Sequence, residues 1–305
     1  MLNKLPMASP TLITVLLLGS TAGWAAASVI RDDAGDAAAR ALAAQPAFAG
    51  SVRLSIAGGI GSGTLIAPGW VLTAAHVVTG SGGAPLSLAS ISVSINGESR
   101  GVTAIAVHPG WTGSNFTAGT DLALVQLTAP VTSVTPAARL SGAVPLGSEL
   151  VLTGYGAFGF GSIGLIDPPG TLRAVTNTFD APASSVYPSW SSSLALMDFD
   201  APATSVFNRF GSTDATAMEG SPATGDSGGG SFVLMGGSWL LAGVHSFTFT
   251  TGAGAAAPFG YGTGAADVLI GGAHAAWIDS VIPTPGATGA LALGIALAAR
   301  RRNRP

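Results

Sequence analysis

The chain has 305 residues, with 12 lysines and arginines against 15 aspartates and glutamates, 44 glycines and no cysteine. A net charge of −3 with only 9% charged residues argues against charge-driven binding of nucleic acid or anionic lipid, and the lack of cysteine excludes a disulfide scaffold. Glycine-rich composition and short apolar runs between turn residues predict an all-β protein, large enough to bury its own core.

The first residues have the pattern of an export signal. Lys4 precedes the apolar run Leu12-Ile13-Thr14-Val15-Leu16-Leu17-Leu18, and Ala25-Ala26-Ala27 is a small-residue cleavage pattern. Residues 1–27 are therefore expected to be removed by a signal peptidase. The body, residues 28–282, then carries seven arginines, no lysine and fifteen carboxylates, a charge of −8. Gly61-Ser62-Gly63-Thr64-Leu65-Ile66 has the pattern of a strand. Gly69 to Val78 is an apolar strand running into Thr73-Ala74-Ala75-His76, where small residues let an imidazole emerge at a cleft. Ile91-Ser92-Val93-Ser94-Ile95 alternates strictly, and Asn96-Gly97 predicts a type I′ hairpin turn before Val102 to Val107. Asp121 heads the buried-looking strand Leu122-Ala123-Leu124-Val125-Gln126-Leu127.

Farther along, Phe179-Asp180-Ala181-Pro182-Ala183-Ser184-Ser185-Val186 recurs as Phe199-Asp200-Ala201-Pro202-Ala203-Thr204-Ser205-Val206. Two copies do not make a repeat array; they suit two strand-and-turn units beside a cleft. Asp198 and Asp200 are candidate ligands for calcium there, although two carboxylates are too few to specify a site. Gly225-Asp226-Ser227-Gly228-Gly229-Gly230 follows, with glycines on both sides of a serine so that backbone N–H groups can approach a substrate carbonyl. Phe232 to Met235 returns through Gly236-Gly237 into Trp239-Leu240-Leu241, and Ala273 to Ile282 places Trp277, Ile278 and Val281 at helical spacing.

His76, Asp121 and Ser227 stand in an order that suits a nucleophilic triad: a serine, a histidine as its general base, and an aspartate to orient the imidazole. The N–H groups of Gly225 and Ser227 are the natural oxyanion donors. No histidine or carboxylate spacing predicts a metal centre, and no cofactor is expected.

Through TAAH, DLALVQL and GDSGG the chain resembles the trypsin/chymotrypsin-like serine endopeptidases. Gly61 to Ile66 resembles the family's strand before the histidine, and Leu152-Thr153-Gly154-Tyr155-Gly156 resembles the start of its second barrel. The resemblance covers about residues 50–280, and only loosely about 157–218. It implies two six-stranded antiparallel β-barrels, at about 48–140 and 145–265, with the active site between them and a closing helix at 273–282. It implies hydrolysis of peptide bonds through an acyl-enzyme. It also implies that Asp226 holds the oxyanion loop by pairing with a freed N-terminus. No Arg or Lys before an Ile-Val-Gly-Gly-like segment is present. Two routes stand: trimming beyond Ala27 to expose Val29 or Ile30, or internal satisfaction of Asp226. Gly61 and Val77 occupy positions where animal relatives have a disulfide.

The family's pocket positions fall on Ser221 at the base, on Ser246, Phe247 and Thr248 along the wall, and on Phe259 opposite. A neutral base disfavours Arg or Lys before the scissile bond. Small apolar residues suit this set. His245 stands where glutamate-specific relatives hold the substrate carboxylate, so glutamate preference and a packing role behind Ser227 are both open.

At the other end, Pro283-Thr284-Pro285-Gly286 leads into a small-residue apolar stretch and then Arg300-Arg301-Arg302-Asn303-Arg304. Residues 283–305 are similar to the PEP-CTERM signals of double-membrane bacteria, which an exosortase cleaves, with Thr284 where the motif has glutamate. About fifteen apolar residues are short for a permanent span of roughly twenty, so the reading is transient membrane association and a final place at the cell surface, in the outer envelope or secreted. A plain membrane anchor is the alternative. The leading function is an exported serine endopeptidase; a catalytically silent protease-fold binding or surface protein is the alternative.

Overall fold

A computed structural model describes residues 28–202, 205–211, 214–250 and 254–282. Two antiparallel sheets dominate it. In the first the spatial order is Glu98–Arg100, Ile91–Ile95, Ser51–Ile56, Gly59–Ala67, Trp70–Thr73, Ala123–Leu127, Val102–Val107. Its two outer strands follow one another in the chain with Gly101 alone between them. They are therefore halves of one bent strand, and the bend closes the sheet into a barrel of six strands. The second sheet repeats this device. Its order is Arg173–Thr178, Glu149–Gly154, Gly230–Met235, Ser238–Thr250, Thr263–Leu269, Leu194–Asp198, Ala181–Pro182, and Phe179-Asp180 joins the two outer members. The architecture is the expected pair of six-stranded barrels.

Period-two patterning explains these strands. Ile91, Val93 and Ile95 are buried with half-exposed serines between them. Asn96 and Gly97 both take positive φ, 45° and 78°, as a type I′ turn requires. The first partner after that turn is the short strand Glu98–Arg100; Val102–Val107 pairs instead with Ala123–Leu127. Both copies of the Phe-Asp-Ala-Pro motif bury their aromatic, Phe179 in the bend of the second barrel and Phe199 just beyond Leu194–Asp198.

Two features lie outside the barrels. A helix over Asp36–Ala43, not foreseen in an all-β reading, buries Ala39 and Ala43. Asp36 ties it to the second barrel through Arg173 at 2.5 Å. The strand Val29–Ile30 lies parallel to Phe158–Phe160 and antiparallel to Gly220–Ser221 in a small third sheet. The closing helix spans Ala273–Val281, where Trp277 packs edge-on against His108 at 4.9 Å.

No disulfide braces either barrel or the seam between them, since the chain has no cysteine. Gly61 and Val77 are packed so closely that a Cβ at Gly61 would lie 2.5 Å from a Val77 methyl, so direct packing fills this contact. Phe48, ahead of the first barrel, is fully buried against Phe232 at 5.1 Å and Trp239 at 5.4 Å in the second. Truncating it empties the seam between the barrels. Phe48→Ala is expected to destabilise the fold by about 3–5 kcal/mol, read as a lower midpoint in urea denaturation.

Candidate active site

Antiparallel register brings the first two groups together. Thr73 pairs with Ala123, so the chain leaving the strand Trp70–Thr73 passes beside the residues that lead into Ala123–Leu127. After extended Ala74 it makes one helical turn, Ala75–Val78, that carries His76. Asp121 is fully buried, and its carboxylate accepts the backbone N–H of His76 at 2.8 Å and meets the ring Nδ1 at 2.7 Å. Ser246 Oγ donates to the same carboxylate at 2.6 Å. An ionised carboxylate only accepts, so Nδ1 carries the proton and Nε2 keeps its lone pair, the form a general base needs.

Ser227 sits on the loop between Gly220–Ser221 and Gly230–Met235. That loop is pinned peptide by peptide. Asp226 N–H donates to Ala223 O at 3.0 Å, Gly229 N–H to Asp226 O at 2.7 Å and Gly228 N–H to His245 O at 2.9 Å. Among the described residues, the N–H groups of Gly225 and Ser227 have no acceptor. Gly228 must be glycine: its φ is +84°, and a Cβ would lie 2.0 Å from Thr73 Oγ1.

Asp226 points inward. Its Oδ2 accepts Ala223 N–H at 3.0 Å and Ser28 Oγ–H at 3.1 Å, and its Oδ1 accepts Gly156 N–H at 3.1 Å. Burial pushes its pKa up to about 6, against these bonds and the charge of His245.

His76 and Ser227 line one cleft of about 330 Å³, with Gly225, His245, Ser246, Phe247, Thr248 and Phe259 also on its wall. Ser221 is not on that wall. It is fully buried, pairs with Val29, and its hydroxyl donates to Pro222 O at 3.3 Å, so Pro222 and Ala223 form that part of the cleft. His245 has Nδ1 3.0 Å from each oxygen of buried Asp267, whose Oδ2 also accepts from Ser231 Oγ. Burial opposes charge on His245, but Asp267 and, more weakly, Asp226 outweigh it and the pKa is raised. Phe259 is held at φ +62°, a costly conformation for a large side chain, with its ring at the cleft.

Two contributions to the site are not legible in the sequence. Ser246 lines the cleft wall, and its hydroxyl also serves Asp121. Phe116, which packs against His76 at 5.4 Å and Phe247 at 5.8 Å, opens the short 3-10 turn Phe116–Ala118, where no periodicity flags it.

The Trypsin family model matches residues 42–264. Among solved structures the chain is similar to neuropsin, titled a serine protease expressed in the limbic system of mouse brain, with 18% identity and a TM-score of 0.56 over 79% of this chain and 96% of that one. At that identity the likeness concerns the fold.

The carboxylates considered for calcium lie on the closing edge of the second barrel. Asp198 and Asp200 are nearly fully buried, and one oxygen of each lacks a hydrogen-bond partner. Among the described residues no group of three or more histidines or carboxylates is arranged to hold a metal ion. Burial first, then the neighbouring Asp200 and Asp180, pushes Asp198 up to about 8, and burial pushes Asp200 up to about 6. Because a folded pKa above the unfolded value holds a proton that the unfolded chain has released, stability falls as pH rises through the folded value. The melting temperature is expected to fall from about pH 4, where these carboxylates ionise in the unfolded chain, to about pH 8, the folded value of Asp198, and to level off above it. Asp198→Asn should flatten that slope and raise the melting temperature at the alkaline end, which differential scanning calorimetry reads directly.

Proposed function

We propose, from the premise that the chain belongs to the trypsin family, that it is an exported serine endopeptidase with His76, Asp121 and Ser227 as its triad. The observation that carries the reading is the shared cleft: His76, with Nδ1 on buried Asp121, lines it together with Ser227 and Gly225, whose N–H groups have no other acceptor among the described residues. In this reading His76 Nε2 takes the Ser227 proton as Oγ attacks the scissile carbonyl, and Asp121 stabilises the imidazolium. The Gly225 and Ser227 N–H groups receive the oxyanion, His76 protonates the leaving amine, and water then resolves the acyl-enzyme by the same steps.

Small or medium apolar side chains before the scissile bond suit the cleft best, because Pro222, Ala223, Phe247, Thr248 and Phe259 narrow it. A glutamate preference is the second reading, since His245 reaches the cleft with a raised pKa. The pairing with Asp267 argues against it, because that carboxylate already neutralises the imidazole and occupies its Nδ1.

Maturation follows from the other end of the loop. Ser28 reaches Asp226 and Val29–Ile30 is built into the third sheet. This supports signal cleavage after Ala27, with Ser28 as the first residue beside Asp226, over further trimming to Val29 or Ile30. Internal satisfaction of Asp226 is the competing route. Residues 1–27 and the sorting tail 283–305 lie outside the described residues. Among the described residues no helix is long and apolar enough to cross a membrane. Export, exosortase processing and residence at the cell surface, in the outer envelope or in the medium rest on the sequence of those ends.

The secreted protein, incubated with a mixed peptide library and analysed by mass spectrometry, should cleave after small apolar residues. Ser227→Ala should lose at least about a thousandfold in kcat; equal cleavage by that variant would sink the assignment, and cleavage confined to glutamyl bonds would select the second reading. N-terminal sequencing of the active form should begin at Ser28. One added residue before Ser28 should lower activity; full activity of that extended form would favour internal satisfaction of Asp226.

A further inference from the structure

One residue of the first barrel grips the catalytic loop of the second with both its backbone N–H and its hydroxyl. Ser62 lies in the strand Gly59–Ala67 and is 1% exposed. Its backbone N–H donates to Ser227 O at 2.9 Å. Its hydroxyl donates to Gly225 O at 2.9 Å and accepts the N–H of Tyr155, at the start of the second barrel, at 2.9 Å. Its carbonyl accepts from Thr73 Oγ1 at 2.7 Å, which ties it to the strand that delivers His76.

The peptide planes of the loop show what the hydroxyl adds. The plane carrying the Ser227 N–H is held through Asp226 O by Gly229 N–H, and the plane after Ser227 is held at both ends, by Ser62 N–H and by His245 O. The Gly225 N–H belongs to the plane between Thr224 and Gly225, which has no bond of its own, and Thr224 is exposed. Gly225 has no Cβ and sits at φ +95°, so only its carbonyl side fixes how that N–H is aimed. That side is held by Asp226 N–H to Ala223 O and by the Ser62 hydroxyl.

We infer that Ser62 is a positioning residue for the oxyanion hole: by holding the Gly225 carbonyl, its hydroxyl aims the Gly225 N–H at the developing oxyanion. The inference rests on the reading of Ser227 as nucleophile. It separates two sources of rate, since an oxyanion donor acts in the transition state and little in the bound substrate. A hydroxyl that merely joined the barrels would contribute stability alone. Ser51 supplies the comparison: it is 3% exposed and its hydroxyl also crosses between barrels, to Thr153 Oγ1 at 3.0 Å, without touching the loop.

The test uses the full chain, purified as secreted, as wild type, Ser62→Ala, Ser62→Cys and Ser51→Ala. Each is measured for melting temperature, for kcat and KM on one peptide substrate, and for inhibition by a peptide aldehyde that forms an oxyanion on the serine. Ser62→Ala is expected to lower kcat about tenfold to a hundredfold with KM within about twofold, and to weaken the aldehyde by the same factor as kcat. Ser51→Ala should lower the melting temperature comparably and leave kcat and aldehyde affinity unchanged. Should Ser62→Ala fail to fold, Ser62→Cys, nearly isosteric with a weaker donor, reads the same pair of quantities. Wild-type kcat and aldehyde affinity in the folded Ser62 variant, or an equal loss in Ser51→Ala, overturns the inference. A wild type that cleaves no peptide and binds no aldehyde removes the endopeptidase reading and this inference with it. A wild type that cleaves normally beside an unaffected Ser62→Ala removes only the inference.

Discussion

The buried carboxylate of Asp226 is the constraint on which the candidate site depends. A charge taken out of water must find hydrogen bonds, and each of its partners comes from a different part of the chain: Ser28 at the start of the described residues, Gly156 beyond the first strand of the second barrel, and Ala223 in its own loop. Satisfying it therefore orders three segments at once. The approach is tight enough that a Cβ at Gly154 would lie 1.9 Å from Asp226 Oδ1. The loop that results presents Ser227 outward and directs its neighbour inward.

Around that constraint the two barrels exchange hydrogen bonds. Ser62 and Ser51 cross from the first barrel to the second, Ser246 crosses back to Asp121, and Phe48 fills the seam with aromatic contact. Such bonds are directional and individually modest. Their value here lies in aim: Ser246 orients the carboxylate that orients His76, and the Ser62 network orients the peptide beside Ser227.

The second barrel also holds several carboxylates that burial makes reluctant to ionise, namely Asp198, Asp200, Glu219 and Asp226. His245 is their counterweight at one point only, between Asp267 and Asp226. Seven of the body's fifteen carboxylates are buried, against one of its seven arginines, so most of its acidic excess lies in the interior. The raised pKa values of Asp198 and Asp200 weight stability toward the acid side of neutrality, and the His245 imidazole is committed to interior carboxylates.

Alternation, turn residues and motif order made much of this legible in the chain itself. Ile91, Val93 and Ile95 declare a half-buried strand, Asn96-Gly97 declares its turn, and the Gly-Asp-Ser-Gly-Gly run declares a backbone that must pass close to other atoms, as the contacts at Gly228 bear out. These are local properties, set by side-chain period and by allowed φ. What tertiary structure alone decided depends on register and burial between distant segments. Ser62 and Ser246 are ordinary serines in sequence; only folding placed one against Gly225 and Tyr155 and the other against Asp121. Ser221, a pocket position by resemblance, is buried in a sheet pair with Val29, and Pro222 and Ala223 line the cleft beside it. The closure of each barrel likewise rests on one strand bending, at Gly101 and at Phe179-Asp180, so that its halves serve opposite edges. Composition and period determine which segments are strands and which residues carry chemistry; which hydroxyl meets which carbonyl is settled by where two closed barrels touch.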